Sequence, residues 1–307
     1  MNSFIRPPSI QAIEKALPGF KIVQFVGEGG YKKVYEARNI LKSNTSEALK
    51  LAAIPPGGVS PAKDSDRTEI IARLNREINL LGDCQCAELV KLGQLTPTEV
   101  TIEGTDYLAY TEEWLPGTPL SNSIKVAKQM PRESEIRALF TALVRAIQEI
   151  SSRGHVHRDI KPDNVMQLPD SQRPFVLLDL GIAFALTGKS LTQDPSTIHG
   201  TRPYLAPEIF AAALGNFRNN LDHRTDLYSA AVTVYEFATL EHPLVETGDS
   251  PSTVIHRIRH QVPTQLSKKR PDLSTKLCDL IDQQQKKQKH LRIGNLEQII
   301  SILRGTP

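Results

Sequence analysis

The string "HVHRDIKPDNV", residues 155 to 165, gathers residue types that can move a phosphoryl group. Asp159, Lys161 and Asn164 stand in the spacing D-x-K-x-x-N. A carboxylate at Asp159 can accept a proton or orient a hydroxyl. An ammonium two residues on can neutralise a transferring phosphoryl group, and the amide oxygen of Asn164 can coordinate a divalent metal. Further on, the apolar run "FVLLDLG" reaches Asp179, which would end a buried strand with one exposed carboxylate. Asn164 and Asp179 together form a magnesium site that leaves room for phosphate oxygens. Taken singly, these residues also fit a charged surface loop and a strand-terminal turn. The string as a whole does not.

A second stretch, "VGEGGYKKVYEA" at 26 to 37, sets Gly27, Gly29 and Gly30 between two apolar runs. By itself it fits a loop holding phosphate and a flexible hairpin turn equally well. The third glycine of the usual phosphate-loop patterns is missing, with Lys32 in its place.

Several elements must carry these residues. "FKIVQFV", "KVYEAR" and "EALKLA" read as short strands. The Pro/Gly/Ser-rich "IPPGGVSPAKDSD" reads as a loop. A helix is predicted over "RTEIIARLNREINLLG", with Ile70, Ile71, Leu74, Ile78 and Leu81 on its apolar stripe and Gly82 as a stop. "LVKLGQLT" and "TDYLAYTEEW" read as two more strands. Beyond "LPGTPL" the texture turns helical, in "RESEIRALFTALVRAIQEISSRG", "RTDLYSAAVTVYEFATL" and "LEQIISIL". The plan is a small β-rich lobe and a larger helical lobe, joined near residues 113 to 117.

Bulk composition narrows the partners. The 307 residues are 39% hydrophobic and 23% charged, an ordinary globular balance. A net charge of +3 implies no general attraction to nucleic acid or membrane. The first twenty residues lack the apolar centre of a signal peptide, and no apolar run is long enough to span a bilayer. Three cysteines are too few for a disulfide framework, so a reducing, cytoplasmic setting is expected. Cys84 and Cys86 have no second Cys or His pair nearby and read as small apolar side chains at a helix end rather than metal ligands. "QQQKKQKH" reads as a solvated helix or loop face.

Five segments, "GEGGYKKV", "EALK", "HRDIKPDN", "DLG" and "APE", resemble in order and spacing the motif series of eukaryotic-type (Hanks-type) Ser/Thr protein kinases. The resemblance covers residues 20 to 304, and the compact helical part is similar to the bacterial branch of the family. It implies an α+β, bilobal fold. A sheet lobe with one main helix would span 20–113, and the hinge with a mainly helical lobe 114–307, after an N-terminal extension at 1–19.

The resemblance also assigns roles. Gly27, Gly29 and Gly30 would form the lid over the ATP phosphates, and Val34 would pack on adenine. Lys50 would contact the α- and β-phosphates and pair with Glu77 of the helix, a checkpoint on helix position. Asp159 would be the catalytic base, Lys161 the phosphate-contacting lysine, and Asn164 and Asp179 the ligands of magnesium or manganese. Leu180 replaces the usual Phe. Glu208 would pair with Arg292, and Asp226 would brace the catalytic loop; both roles are structural. Glu113 and Leu115 would bind adenine through their backbone. That places Glu112 where the family has an apolar residue or Thr. Either the register slips so that Thr111 takes the position, or Glu112 points at a specific donor.

Lys161, Thr201 and the A-P-E segment are similar to those of kinases acting on protein Ser/Thr hydroxyls. Arg158 marks members whose activation segment is ordered by phosphorylation. Among Thr187, Ser190, Thr192, Ser196 and Thr197, the last two lie nearest the usual position. The implied partners are protein substrates and a homodimer for phosphorylation in trans. A pseudokinase scaffold is the alternative; its usual sign, loss of the Lys, the catalytic Asp or the metal Asp, is missing here.

Overall fold

The computed structural model describes residues 6–29, 32–42, 44–55, 61–180, 202–211 and 221–305. Two compact units emerge: Met1–Asp83 with Val90–Leu115, and Cys84–Leu89 with Pro116–Pro307.

The first unit contains α1 (Ile10–Ala16), β1 (Phe20–Gly29), β2 (Lys32–Asn39), β3 (Ser46–Ile54), α2 (Pro61–Asp83), β4 (Thr98–Ile102) and β5 (Thr105–Glu113). The strands form an antiparallel sheet in the order β1-β2-β3-β5-β4. Alternation along each strand sorts side chains onto two faces. One face carries Tyr35, Ala37, Leu49, Leu51, Tyr107 and Ala109, and packs with Ile13 and Leu17. The other carries Ala52, Leu108 and Tyr110, and packs with Leu74 and Ile78 of α2.

Helix α1 lies within the stretch expected to be an extension, yet it is tied to the sheet. The Ser9 hydroxyl accepts the Ala12 N–H at 3.3 Å and donates to Glu103 at 2.6 Å. Glu14 accepts the Ile22 N–H of β1 at 3.0 Å, and the Tyr35 hydroxyl donates to the Pro8 carbonyl at 2.9 Å.

Two local expectations need correction. Helix α2 starts at Pro61, six residues inside the stretch read as loop. Proline is tolerated in a first helical turn, where its missing N–H has no intrahelical partner anyway. The segment "LVKLGQLT" is not a strand; it makes an isolated bridge from Leu92 to Glu112. The ladder strand is β4, further on. Glu103 and Gly104, both at positive φ (51° and 78°), close its two-residue hairpin into β5.

The second unit contains β6 (Thr118–Pro119), α3 (Leu120–Val126), α4 (Glu133–Ser152), β7 (Val165–Gln167), β8 (Phe175–Leu177), α5 (Pro207–Ala211), α6 (His223–Thr239), α7 (Pro251–His260), α8 (Leu266–Lys269), α9 (Thr275–Gln284) and α10 (Leu296–Arg304). Helix α4 buries Ile136, Leu139, Phe140, Leu143, Val144, Ile147 and Ile150, the stripe its 3.6-residue period dictates. Helix α6 is buried almost all round, which fits its small and apolar composition. The short sheet β6-β7-β8 is antiparallel, with Val165 opposite Leu177. Gly117 precedes it where a Cβ would come within 2.3 Å of the Gln167 carbonyl, so only glycine fits without a shift.

The polar run at 283–290 is not simply solvated. Gln284 and Gln285 are buried, and Lys287 lies beside Tyr228, with its Nζ 5.6 Å from the ring centroid. The carbonyls of Lys286 and Lys287 in this run accept hydrogen bonds from Arg292 at 2.8 and 3.3 Å. Among the described residues, no helix is long and apolar enough to cross a membrane.

Candidate active site

In the second unit, the loop between α4 and β7 is pinned from below by α6. Asp226, in the first turn of α6, accepts the His157 N–H at 2.7 Å and the Arg158 N–H at 2.8 Å. Burial pushes its carboxyl above the usual carboxylate range, opposed by the two amide donors and the nearby Arg158 guanidinium. Arg158 has a positive φ of 68°, a conformation that bracing by two fixed hydrogen bonds sustains. The Asp159 N–H then donates to Nδ1 of the buried His157 at 3.2 Å.

Asp159, Lys161 and Asn164 converge. The Lys161 ammonium lies 3.0 Å from Oδ2 of Asp159. The Asn164 amide donates to that same oxygen and to the Asp159 carbonyl, both at 2.8 Å. Both side-chain clamps therefore grip Oδ2 rather than Oδ1. Both Asn164 amide hydrogens are committed to Asp159, so its side-chain oxygen serves only as an acceptor.

The Leu178 N–H donates to the Asn164 carbonyl at 2.7 Å, which ties Asp179 to the loop. Asp179 adopts a φ of 44°, and Leu180 beside it is buried. One neutral and one anionic oxygen donor fit a hard divalent cation that keeps other positions for water or phosphate.

A further tie lies away from this loop. The Arg292 guanidinium meets Glu208 through two bonds of 2.7 and 2.8 Å, donates to the carbonyls of Lys286 and Arg224, and stacks over the Tyr228 ring.

In the first unit, register fixes which side chains share a face. Val34 opposes Lys50, and Lys50 opposes Tyr110. Lys32 and Glu112, two residues along their strands, fall on the same face. Here the structure corrects the expected pairing of Lys50 with Glu77. Glu77 is taken by Lys32 at 2.5 Å, while the Lys50 ammonium lies 2.8 Å from Glu112. The reason is reach: Glu112 is the diagonal cross-strand neighbour of Lys50, and Lys32 projects onto the face that α2 covers.

Glu112 is 3% exposed and points at a specific donor, the Lys50 ammonium. Thr111 points the other way, and its hydroxyl accepts the Leu95 N–H at 2.9 Å. Fully buried Tyr110 sits among both pairs. Lys32 Nζ lies 5.9 Å from its ring centroid, and burial drives its hydroxyl pKa well up. Nothing in the sequence marked Tyr110 as part of this cluster, and Lys32 stood out only as the residue in the third glycine's place, not as the partner of Glu77.

Gly27 opposes Val34 in the β1–β2 hairpin, and a Cβ there would meet nothing within 4 Å. This glycine is therefore not required by packing within the chain and leaves the backbone open to approach. Backbone positions are described for Gly29, Glu113 and Leu115; the Glu113 N–H donates to the Lys91 carbonyl at 2.8 Å. Gly30, Thr187, Ser190, Thr192, Ser196, Thr197 and Thr201 lie outside the described residues. Cys84 is buried at the end of α2, and no metal-binding cluster of His, Cys, Asp or Glu occurs among the described residues.

The chain is 28% identical over 243 residues to the serine/threonine-protein kinase PknH of Mycobacterium tuberculosis, covering 77% of this chain and 33% of PknH. It is 28% identical over 267 residues to PknJ of the same organism, covering 86% and 41%. The chain thus spans well under half the length of these curated relatives. In fold it is similar to the crystal structure of the Mycobacterium tuberculosis PknI kinase domain, with a TM-score of 0.62 at 20% identity over 93% of this chain and 95% of that one. The protein kinase domain family matches residues 20–302, from β1 to the penultimate turn of α10, so the chain belongs to that family.

Proposed function

We propose that the chain is an ATP-dependent Ser/Thr protein kinase that transfers the γ-phosphate to protein hydroxyls and to its own activation segment. The observation that carries this reading is the cluster of Asp159, Lys161 and Asn164, braced by Asp226. Oδ1 of Asp159 orients a substrate hydroxyl and accepts its proton. Lys161, held beside Asp159, meets the negative charge of the transferring group. Asn164 and Asp179 supply oxygens for magnesium or manganese; the bound cation neutralises phosphate charge. Rate enhancement then comes from positioning and fixed charge rather than from covalent chemistry. The Ser/Thr relatives support a protein substrate, and the intact set of polar residues disfavours the pseudokinase scaffold.

The test is transfer of labelled γ-phosphate to a generic basic protein, with the chain itself resolved on the same gel. Asp159→Asn and Asp179→Asn should each lower the rate by about 10²-fold or more. Equal rates in wild type and both variants would leave only the scaffold reading.

A further inference from the structure

Helix α7 carries two histidines that the candidate active site does not use. His256 and His260 are four positions apart, so they stand one turn above each other on one face of the helix. Val254 and Ile258, two positions before each, point roughly the opposite way and are buried in one core cluster with Leu205, Ile209, Tyr228 and Val232. Both histidines are exposed on the outer face. Their ring centroids are 5.0 Å apart, with the ring planes inclined at 47°. Two ligands of a single metal would have this spacing. Zinc binds an imidazole nitrogen at about 2.0–2.1 Å, which puts each ring centre about 3.2 Å from the ion. With an angle of about 90–110° at the ion, the two ring centres lie about 4.5–5.2 Å apart. The backbone of α7 therefore already holds the two rings at chelating distance.

The surroundings favour a cation. His260 is the last residue of α7, where the final backbone carbonyls leave partial negative charge. Arg257 is turned to the Leu244 carbonyl, Glu246 and Asp249, at 3.2, 3.2 and 3.1 Å. Arg259 is exposed, where water and salt screen its charge. At the other end, the Ser250 hydroxyl caps the helix by accepting the Thr253 N–H at 3.1 Å.

We propose that His256 and His260 bind zinc, or another borderline divalent cation of the first transition row, as a two-histidine chelate on the outer face of α7. Imidazole nitrogens suit zinc, copper and nickel, whereas magnesium and calcium prefer oxygen. No group of three His, Cys, Asp or Glu forms among the described residues, so the other coordination positions belong to water. The site is open and exchangeable, unlike a closed structural zinc centre. The chelate links consecutive turns of α7 and adds its binding free energy to the folded state.

Zinc titration of the untagged chain in saturating magnesium tests this. Magnesium fills oxygen-donor sites and leaves an imidazole pair open. Wild type should bind one equivalent of zinc by calorimetry, and its thermal midpoint should rise with zinc. His256→Ala and His260→Ala should each weaken that binding by about tenfold or more and remove the thermal shift. Both positions are exposed, so in chelator the variants should melt with wild type. The pair His260→Ala with Gln261→His keeps the histidine count but turns the second ring about 100° round the helix, and it should not restore the affinity. Three results overturn the proposal: no zinc binding in saturating magnesium, unchanged binding in both single variants, or full affinity in the shifted pair. Phosphate transfer is not the readout, so failure of the kinase reading leaves this test intact.

Discussion

At the scale of single residues, the most consequential feature is the buried carboxylate of Glu112. Glu112 is stable in a dry environment because Lys50 meets it at 2.8 Å. Removing one member of a buried pair strands the other. Lys50→Met should therefore destabilise the chain by about 3–5 kcal/mol, whereas Lys50→Met with Glu112→Leu should recover most of the loss. Urea denaturation midpoints check this. If the single and double variants unfold at the same denaturant concentration, the pair does not form in solution. The result bears on how any loss of activity is interpreted, since a single lysine replacement would confound unfolding with chemistry. The Asp159 carboxylate illustrates the opposite regime. Its clamps come from residues two and five positions on, so local spacing alone brings them together.

At the scale of elements, helices serve as supports for loops and sheets. Helix α6 positions the loop that carries Asp159 by lending one side chain, Asp226, to two consecutive amides. Helix α2 lends Glu77 to the hairpin strand β2. Helix α1 is the unexpected member. Its Ile13 side chain is fully buried against the sheet face that also holds Tyr35, Leu49 and Leu51. Burial of an isoleucine of this kind makes Ile13→Ala expected to lower stability by about 2–5 kcal/mol. Thermal and denaturant melts measure it, and a change below about 0.5 kcal/mol, the usual scale for exposed sites, would show that α1 is undocked in solution. Composition gave little sign of this helix, because seven residues carry only a short apolar stripe.

At the scale of the whole molecule, residues far apart in sequence are tied together within each unit. Arg292 and Glu208 are 84 positions apart and make a two-bond contact with the arginine side chain wholly buried. Arg292→Ala should cost about 3–5 kcal/mol, since it leaves Glu208 without its partner and several carbonyls without donors. Arg292→Lys should lose a large part of that as well, because an ammonium cannot reproduce the planar fork. Equilibrium unfolding of both variants gives the comparison, and a lysine variant as stable as wild type would show that charge alone sustains the contact.

The sequence by itself determined the cluster of Asp159, Lys161 and Asn164 and most of the framework. Asp159, Lys161 and Asn164 lie within six positions, so their convergence is a property of one loop. The helical period of α4 and the alternation in β2, β3 and β5 are equally local. Helix boundaries were less legible: the polar start of α2 has no apolar stripe to announce it, and Gln284 and Gln285 look solvated until their neighbours are placed. Tertiary structure alone decided which lysine meets which glutamate. Spacing along the chain cannot rank Lys32 against Lys50 for Glu77, because the choice depends on strand register, on the sheet face that α2 covers, and on the length of side chains reaching across it. Once Glu112 is placed in a dry sheet face, it needs a cation there, and Lys50, the nearest ammonium across the strand, supplies it.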